Sequence, residues 1–568
     1  MKATFLLFIL LISNSWSQKK SDQKSMRDYW ADTQTSFDQL LYGEINDKTC
    51  ASSLKQFTAC IETLNAALQI SLPNQLHLIE IDRGTELNPS AILPGFIIKS
   101  YAADDATLKE KLDDYYKNLE DEYQYWIANR YVMENQSFVQ NIKQLEKGIK
   151  DPKDKAMIAS SIYNVYLGSS LDPHTYIIPK VYNESIIKSS EERKMFGLEL
   201  KVVKIEDKET IILTGAMKNS PASRAGLERG DLILKLGDKE TAKDIYTEIS
   251  NSDQITIEVE GTKGKRTLTL TRDDVITKNL EISIIKSENN ENYAYLLLKS
   301  FMDENVCIEI EKASANLIAV QKIKGVILDV RNNTGGLMEI SGCLLDLFLE
   351  PNSYTIIVKD LNLKGKNSVI AKASSGKAIF NNMHNVVLIN GLSASASENT
   401  SIFLQAYRKA FIVGERSFGK GTMQSVSSFD KNSKINYAKT IARFYGPHYV
   451  SPQLQGVKPD FEIFPEFGQT TPTKFSREAD IYKNVIENKF IEAPVSGMRE
   501  FEIERIQGCL AENNTVKEEY DELDHYQKLV FDQQLTSGKA IIDCAIQLDL
   551  PINNSTQIQV SRFSDLND

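Results

Sequence analysis

Apolar residues along this chain change their spacing three times, and each change predicts a different kind of structure. From about 20 to 165 they recur every three to four positions, which is typical of helices with one buried face. From about 190 to 275 short β-rich runs alternate with turns, and from about 290 to 465 strand patterns alternate with helical ones. Beyond about 470 the chain is polar and then helical again.

The β-rich segment is predicted to contain several short strands and one short helix. The helix is opened near Pro221 and ended by Gly226, because proline suits a first helical turn and glycine a helix end. The predicted strands are Leu198–Val203, Ile211–Thr214, Leu232–Leu236, Ile255–Val259 and Thr267–Leu270.

The next segment alternates buried strands with helices. An apolar run at Gly325–Val330 is broken by Gly335-Gly336, and a helical pattern follows through Leu349. Strands are then predicted at Asn385–Asn390 and Ala410–Gly414, with a helix through Ala406 between them. Strand-helix-strand units of this size favour a mostly parallel sheet with right-handed crossovers.

Composition indicates a folded, multidomain protein without a nucleic-acid partner. The chain has 568 residues, of which 42% are hydrophobic and 25% charged, and roughly 150 residues per domain suggests three or four domains. The net charge is −11 and no basic stripe stands out, which argues against nucleic-acid binding.

The first 17 residues have the pattern of an export signal. Lys2 supplies a positive charge, Phe5–Ile12 is a short apolar run, and the small residues of Ser15–Ser17 predict cleavage before Gln18. The run is too short to span a bilayer, which takes roughly 20 residues. We therefore expect an exported protein, periplasmic first and secreted as the alternative.

Six cysteines are compatible with disulfides in an oxidising compartment. Cys50 with Cys60, and Cys509 with Cys544, are the plausible bridges. Cys307 and Cys343 fall on apolar helical patterns, where a free buried thiol is at least as plausible. No Cys/His arrangement suits a metal, so we expect no metal and no cofactor.

A serine and a lysine carry the candidate chemistry. Ser395 lies between a predicted strand and a predicted helix, and Lys420 lies in a turn framed by Gly419 and Gly421. A hydroxyl becomes a useful nucleophile when a desolvated amine can take its proton, and burial would lower the pKa of such a lysine. Ser393 and Ser397 are similar neighbours, and sequence physics alone separates the three serines poorly.

Six landmarks in order resemble those of the carboxyl-terminal processing peptidases, also called tail-specific proteases. They are Leu171–Thr175, the β-rich segment, Leu328–Gly336, the Ser393–Glu398 run, Phe418–Gly421 with Gln424, and Gly456–Asp460. The resemblance implies an α/β (multidomain α+β) protein, in which a crotonase/Clp-like αβ protease core carries an inserted PDZ-like β-domain and helical N- and C-terminal regions. The expected boundaries are 1–17 for the signal peptide, 18–189 for the N-terminal helical region, 190–275 for the PDZ-like domain, 276–466 for the Ser/Lys peptidase core and 467–568 for the mainly helical C-terminal region.

The resemblance also assigns roles to residues. It makes Ser395 the nucleophile, Lys420 the general base and Gln424 the support of the lysine. Backbone amides are expected to form the oxyanion hole, from Ala396 and from the Gly335-Gly336 turn, with Gly336 as the second donor. The PDZ-like loop is expected to hold a peptide carboxylate, although Glu199 departs from the family's small or apolar residue; its members are Phe196, Gly197, Leu198 and Glu199.

Two other polar residues are interpreted as structural. His174 with Asp172 could suggest a Ser-His-Asp triad, but no GxSxG elbow surrounds Ser395 and the resemblance treats this turn as structural. Glu398, three residues after Ser395, can cap the following helix.

The expected function is an exported serine endopeptidase that recognises protein C-termini and cleaves through an acyl-enzyme. Its partners would be unfolded or tailed proteins and peptides, and the helical flanks leave open a homodimer or an adaptor. The alternatives are a catalytically inactive PDZ-type binding protein and an esterase on the same fold.

Overall fold

The computed structural model describes residues 174, 176–179, 192–205, 208–360, 369–428, 435–447, 450–475, 477–481 and 497–552. The predicted signal peptide, the N-terminal helices up to residue 165 and the Cys50–Cys60 pair lie outside these residues.

Eighteen strands and ten α-helices occur in the described residues. The strands are β1 Tyr176–Pro179, β2 Glu192–Met195, β3 Leu198–Ile205, β4 Lys208–Ala216, β5 Leu232–Leu236, β6 Gln254–Gly261, β7 Gly264–Thr271, β8 Asp273–Ile276, β9 Leu280–Lys286, β10 Asn292–Leu298, β11 Gly325–Asp329, β12 Tyr354–Asp360, β13 Val369–Ala373, β14 His384–Ile389, β15 Phe411–Gly414, β16 Thr422–Ser428, β17 Ile435–Tyr445 and β18 Phe461–Glu462. The helices are α1 Pro221–Arg224, α2 Ala242–Asn251, α3 Val306–Ala315, α4 Met338–Asp346, α5 Ala396–Ala406, α6 Glu478–Ile481, α7 Gly497–Asn513, α8 Thr515–Glu522, α9 His525–Leu529 and α10 Gln533–Gln547, and a π-helical turn, Asn316–Val320, continues α3.

A six-stranded sheet in the order β18-β15-β14-β11-β10-β9 forms the centre of the fold. Its neighbours pair in parallel except for β9, which runs antiparallel to β10. All five residues of β11 are buried, as expected for a parallel strand covered on both faces. Val326 and Leu328 face the core beneath α4 and α5, while Ile327 faces α10. The predicted parallel sheet is therefore confirmed.

The β-rich segment forms a separate antiparallel sheet in the order β3-β4-β5-β6-β7. Its five predicted strands and the Pro221 helix are all present, and Gly226 after the helix has a φ of +73°. Alternate residues of β4 pack on opposite sides: Ile211 and Leu213 join Ile245 of α2 in one core, and Ile212 packs against Val530 near the C-terminus. The sheet is thus covered on both faces.

A third sheet runs β1-β17-β12-β13, with β16 also paired to β17. β1 lies within 18–189, which we expected to be helical, so that expectation is wrong for Tyr176–Pro179. The prediction rested on helical periodicity upstream of this segment. The four residues of β1 form a strand because they pair with residues 435–438.

Two disulfides join helices of the described region. Cys509 and Cys544 connect α7 to α10, which confirms that predicted pair. Cys307 and Cys343 connect α3 to α4, so of the two possibilities that the sequence left open for them the disulfide is the one present. The apolar periodicity indicated that Cys307 and Cys343 lie on inward-facing sides of their helices, where they are buried and partly buried, but it did not show that the two helices face each other. No helix among the described residues combines the length and apolar character needed to cross a membrane.

Candidate active site

Ser395 occupies a strained turn between β14 and α5. Its φ is +56° and its ψ is −113°, a backbone conformation that costs energy for a residue with a side chain. It is 6% exposed and immediately precedes the first residue of the helix, Ala396. A helix start exposes backbone N–H groups and the positive end of the helix dipole, both of which favour a developing negative charge.

Hydrogen bonds separate the three serines that the sequence could not. The Ser393 hydroxyl donates to Val330 O at 2.8 Å and accepts from the Asn390 amide at 3.0 Å. The Ser397 hydroxyl donates to Asn333 O at 2.8 Å. Both therefore bind the backbone that shapes the turn, whereas the Ser395 side chain meets only the Glu398 amide, at the start of its own helix, among the described polar contacts.

The buried carboxyl group of Glu398 connects the turn at residues 393–397, the serine turn, to residues 417–421, the lysine loop. One oxygen, Oε2, accepts from the amides of Ser395 at 2.9 Å and Lys420 at 2.8 Å. The other, Oε1, accepts from the Ser417 hydroxyl at 2.6 Å and the Gly419 amide at 2.7 Å. The backbones of the two candidate catalytic residues are thus two hydrogen-bond lengths apart through a single oxygen atom.

Glu398 does accept a bond at the start of α5, as a capping residue would, but three of its four donors lie outside that turn. Burial raises the pKa of this carboxyl to about 8, although the four hydrogen bonds oppose the shift. Sequence reasoning identified the cap and missed the connection to Ser417 and Gly419, because nothing in the spacing indicates that the two loops meet.

The amine of Lys420 lies against Gln424. Nζ donates to Oε1 of Gln424 at 2.6 Å, and the Gln424 amide nitrogen donates to the hydroxyls of Thr422 and Thr440, each at 3.0 Å. The two threonines therefore orient the amide so that its oxygen faces the lysine. They were not singled out from the sequence, although Thr422 is two residues from Lys420.

No hydrogen bond between the Ser395 hydroxyl and the Lys420 amine is among those described. Contacts of this kind are often long in a substrate-free enzyme and tighten when substrate binds. What the fold fixes is the relation of the two backbones, through Glu398 and through a bond from the Phe418 amide to Ser393 O at 3.0 Å.

The Gly335-Gly336 turn packs directly against the serine. An ideal Cβ on Gly335 would lie 2.8 Å from Ser395 Cβ and 3.0 Å from the Ala396 amide nitrogen. The Gly335 amide donates to Asn333 Oδ1 at 2.9 Å, whereas no described hydrogen bond takes the Gly336 amide. The structure thus brings together the two predicted sources of oxyanion donors, Ala396 and this turn.

The predicted carboxylate loop lies in the antiparallel sheet, against the start of α1. Phe196 is 3% exposed, and its carbonyl accepts from the Ala222 amide at 2.9 Å. Gly197 has a φ of +74°, and an ideal Cβ there would lie 2.1 Å from Ser220 Cβ. Leu198 is partly buried beside the sheet core, and the Glu199 carboxylate lies over Gly215 of β4.

His174 meets the lysine loop from another side. Its Nε2 lies 2.8 Å from Glu478 Oε1, and the Glu478 amide donates to Phe418 O at 3.0 Å. The same carboxylate oxygen accepts from Gln453 at 3.1 Å. These contacts fit the structural interpretation of His174, while Asp172 lies outside the described residues. Glu478, a buried contact of this loop, was missed because its segment reads as polar.

Comparisons with known proteins agree with this geometry. The profile of peptidase family S41 matches residues 292–463, which contain both Ser395 and Lys420. A carboxyl-terminal-processing protease of Picosynechococcus sp. is 29% identical over 304 residues, covering 52% of this chain and 70% of that protein. A carboxy-terminal-processing protease of Bartonella bacilliformis is 29% identical over 327 residues, covering 55% of this chain and 70% of that protein.

A solved photosystem II D1 C-terminal processing protease is 23% identical, with a TM-score of 0.35 over 57% of this chain and 86% of that one. The family match runs from β10 to β18 and includes the turns that hold the candidate residues. Residues 292–463 match peptidase family S41, and the chain is similar in sequence to C-terminal processing proteases.

Proposed function

We propose that this chain is an exported peptidase that cleaves unfolded or tailed proteins near their C-termini, with Ser395 as nucleophile and Lys420 as general base. The observation that carries the proposal is the Glu398 carboxyl group, which binds the backbone of both residues with the same oxygen. A shared buried acceptor of this kind holds two loops in one fixed relation, as pairwise catalysis by a hydroxyl and an amine requires.

In the proposed reaction, an uncharged Lys420 amine takes the proton of the Ser395 hydroxyl as the oxygen attacks the scissile carbonyl. The tetrahedral oxyanion receives hydrogen bonds from the Ala396 and Gly336 amides. The lysine then gives its proton to the leaving amine, which leaves an ester on Ser395, and water hydrolyses that ester by the reverse proton path.

Gln424 fits the role of a neutral partner for the lysine. Its oxygen accepts from Nζ without a formal negative charge, so it orients the amine while favouring the ammonium form less than a carboxylate would. The Gln424 nitrogen donates to the hydroxyls of Thr422 and Thr440, which fixes the orientation of the amide. In the flipped orientation the Gln424 NH₂ group, a donor, would face the lysine amine.

The antiparallel sheet is proposed to be a PDZ-like reader of substrate C-termini. Within the described residues β3 pairs only with β4, so its other edge can receive an added peptide strand. Leu200 and Val202 of β3, with Tyr246 and Ile249 of α2, are partly buried apolar side chains beside the sheet core. They supply an apolar wall for the last side chains of a peptide that enters along β3.

Export is proposed on the sequence pattern of residues 1–17 alone. Expression of the full chain with N-terminal sequencing of the mature protein would test it. The proposal predicts a mature chain that begins at Gln18 in the exported fraction, and an uncleaved cell-retained chain would contradict it.

The function is tested with one set of matched peptides. Each carries the same cleavable sequence and ends in apolar residues with a free carboxylate, the same residues amidated, or acidic residues with a free carboxylate. We expect kcat/KM for the free apolar end to exceed that for the amidated end by about tenfold, a difference of about 1.4 kcal/mol.

Ser395→Ala, folded as judged by circular dichroism, is expected to cleave none of these peptides and is the control for contaminating proteases. Equal rates on peptides with free and amidated ends would contradict the proposal that the antiparallel sheet recognises the C-terminal carboxylate. Hydrolysis of p-nitrophenyl esters without cleavage of any peptide would favour an esterase instead, and binding of the free end without turnover would favour an inactive binding protein.

A further inference from the structure

The C-terminal region, in which the sequence shows no motif, contacts both the antiparallel sheet and the active-site turns. Val530 is 5% exposed and packs with Ile212 and Leu232 on one face of the sheet, where Tyr526 and Leu529 join it. Residues 526–530 are therefore an anchored part of the fold, and we call residues 526–532 the bridging segment.

The bridging segment also makes polar contacts, with Arg229 of the antiparallel sheet domain at Val530 and with α10 at Asp532. Arg229, in the turn before β5, donates to Thr214 O at 2.8 Å and also to Val530 O. Its charge interacts with that of Asp532, the last residue of the segment. Asp532 is also the N-cap residue of α10, where its Oδ1 accepts from the Leu535 amide at 3.0 Å.

Asp532 binds Arg331 through both carboxylate oxygens. Nη1 lies 2.8 Å from Oδ1 and Nη2 lies 2.8 Å from Oδ2, the paired geometry that fixes a guanidinium in orientation as well as position. Asp329 binds the same guanidinium from its other side, with Nη2 to Oδ2 at 2.6 Å. With Arg229 also beside Asp532, two guanidinium groups and two carboxylates form one charge-balanced cluster, and removal of Asp532 would leave Asp329 as its one carboxylate.

Arg331 begins the loop that reaches the serine. The next residue, Asn332, donates its amide to Asn390 Oδ1 at 3.0 Å. Asn333 O then accepts from the Ala394 amide at 3.0 Å and from the Ser397 hydroxyl at 2.8 Å, on the two sides of Ser395.

Asn333 also holds the glycine turn, because its Oδ1 accepts from the Gly335 amide at 2.9 Å. A continuous set of contacts therefore runs from Asp532 through Arg331 to the glycine turn and to both flanks of the nucleophile.

We propose that Asp532 is a positioning residue for peptide hydrolysis, which acts by holding Arg331 and with it the 332–336 loop against Ser395. The inference rests on the proposed function of that loop as an oxyanion donor. Loss of the Asp532 contact should loosen the Gly336 amide more than it loosens substrate binding, so kcat should fall and KM should change little.

The test compares two capping aspartates of the same region. Asp532→Ser keeps a side chain that can cap α10 but removes the pair with Arg331. Asp524→Ser is the matched control, because Asp524 caps α9 through the Gln527 amide at 2.9 Å and no described contact joins it to Arg331. Both variants are assayed on the free apolar peptide, with thermal unfolding measured in parallel.

We expect kcat to fall about tenfold or more in Asp532→Ser, with KM within about twofold, and kcat to stay within about twofold in Asp524→Ser. Equal kcat in the two variants, or a loss that appears only in KM, would overturn the positioning role. If Asp532→Ser does not fold, Asp532→Asn, which keeps the size and one acceptor, decides by the same kcat criterion.

Failure of the proposed function would look different. In that case the wild-type chain itself would cleave the peptide no faster than Ser395→Ala, whatever the Asp532 variants do.

Discussion

Two regions of the molecule are held together in different ways. One is the place where the turns around Ser395 and Gly335 meet the loop of Lys420, which we call the serine–lysine junction, and the other is the antiparallel sheet. The junction depends on buried polar contacts between residues distant in sequence, such as Glu398 with Gly419 and Asn333 with Ala394. The sheet consists of hairpin neighbours over an apolar core, and the ion pair Lys263–Glu228 at its surface is about half exposed.

This difference sets how each region should respond to substitution. Leaving a buried polar partner unsatisfied costs about 1–3 kcal/mol and displaces the groups it held, whereas exposed ion pairs contribute about 0–1 kcal/mol. Substitutions at the junction should therefore reduce turnover sharply, and substitutions along the sheet edge should mainly alter the affinity for substrate.

Removing the lysine amine should produce the largest effect. Lys420→Met keeps an unbranched apolar stem but has no base, so we expect kcat to fall by about a thousandfold or more while the protein stays folded. In Gln424→Ala the amine loses its orienting acceptor, so kcat should fall by about ten- to a hundredfold. Initial rates on the peptide with a free apolar end measure both. A Lys420→Met variant with more than about a tenth of wild-type kcat would contradict the general-base role.

Crowding the glycine turn should have the next largest effect. Gly335→Ala places a methyl 2.7 Å from Ala394 O and 2.8 Å from Ser395 Cβ, so the turn or the nucleophile must move. We expect kcat to fall by about a hundredfold. Gly264→Ala is the control, because its φ of +75° is also positive, compared with +101° at Gly335, but no atom lies within 4 Å of the added methyl. Comparable losses of kcat in both variants would show that backbone strain alone explains the result.

Glu398 should make the stability of the junction depend on pH. Its pKa is raised by burial from 4.5 to about 8, so between these pH values the folded state holds a proton that the unfolded state lacks. Stability from this group therefore falls as pH rises through that window, by at most about 1.4 kcal/mol per unit.

Glu398→Gln has no proton to lose at this position. Relative to that variant, the wild-type free energy of unfolding should decrease between pH 5 and pH 8, as measured by urea denaturation. A difference that is constant or grows with pH would show that the carboxylate is already ionised at acid pH.

The sheet edge should give the smallest effect. Leu200→Ala removes part of the apolar wall along β3, so KM for the free apolar peptide should rise about three- to tenfold with kcat nearly unchanged. Leu234→Ala, on the strand that packs toward Leu529 and Val530, is the control and should leave KM within about twofold. A fall in kcat without a change in KM for Leu200→Ala would mean that the edge supports the junction and does not read the substrate.

The sequence predicted elements better than it predicted contacts between them. The strands of the antiparallel sheet and the Ser395 turn followed from periodicity and glycine placement, because these report burial within one element. The Cys307–Cys343 bridge, the second role of Glu398 and the pair Arg331–Asp532 each join elements far apart in the chain. A local sequence pattern does not show which distant elements come into contact. β1 was missed for a related reason, since its pairing with β17 and not its own four residues makes it a strand.

The central claim is that Ser395 forms an acyl-enzyme with the help of Lys420. It is tested most directly by mixing the protein with an activated ester, quenching with acid within seconds and mapping the acylated peptide by mass spectrometry. The account predicts the acyl group on Ser395 in the wild type and little or none in Lys420→Met at the same time point. An acyl group on Ser393, Ser397 or any other residue, or equal labelling of Ser395 without the lysine, would contradict it.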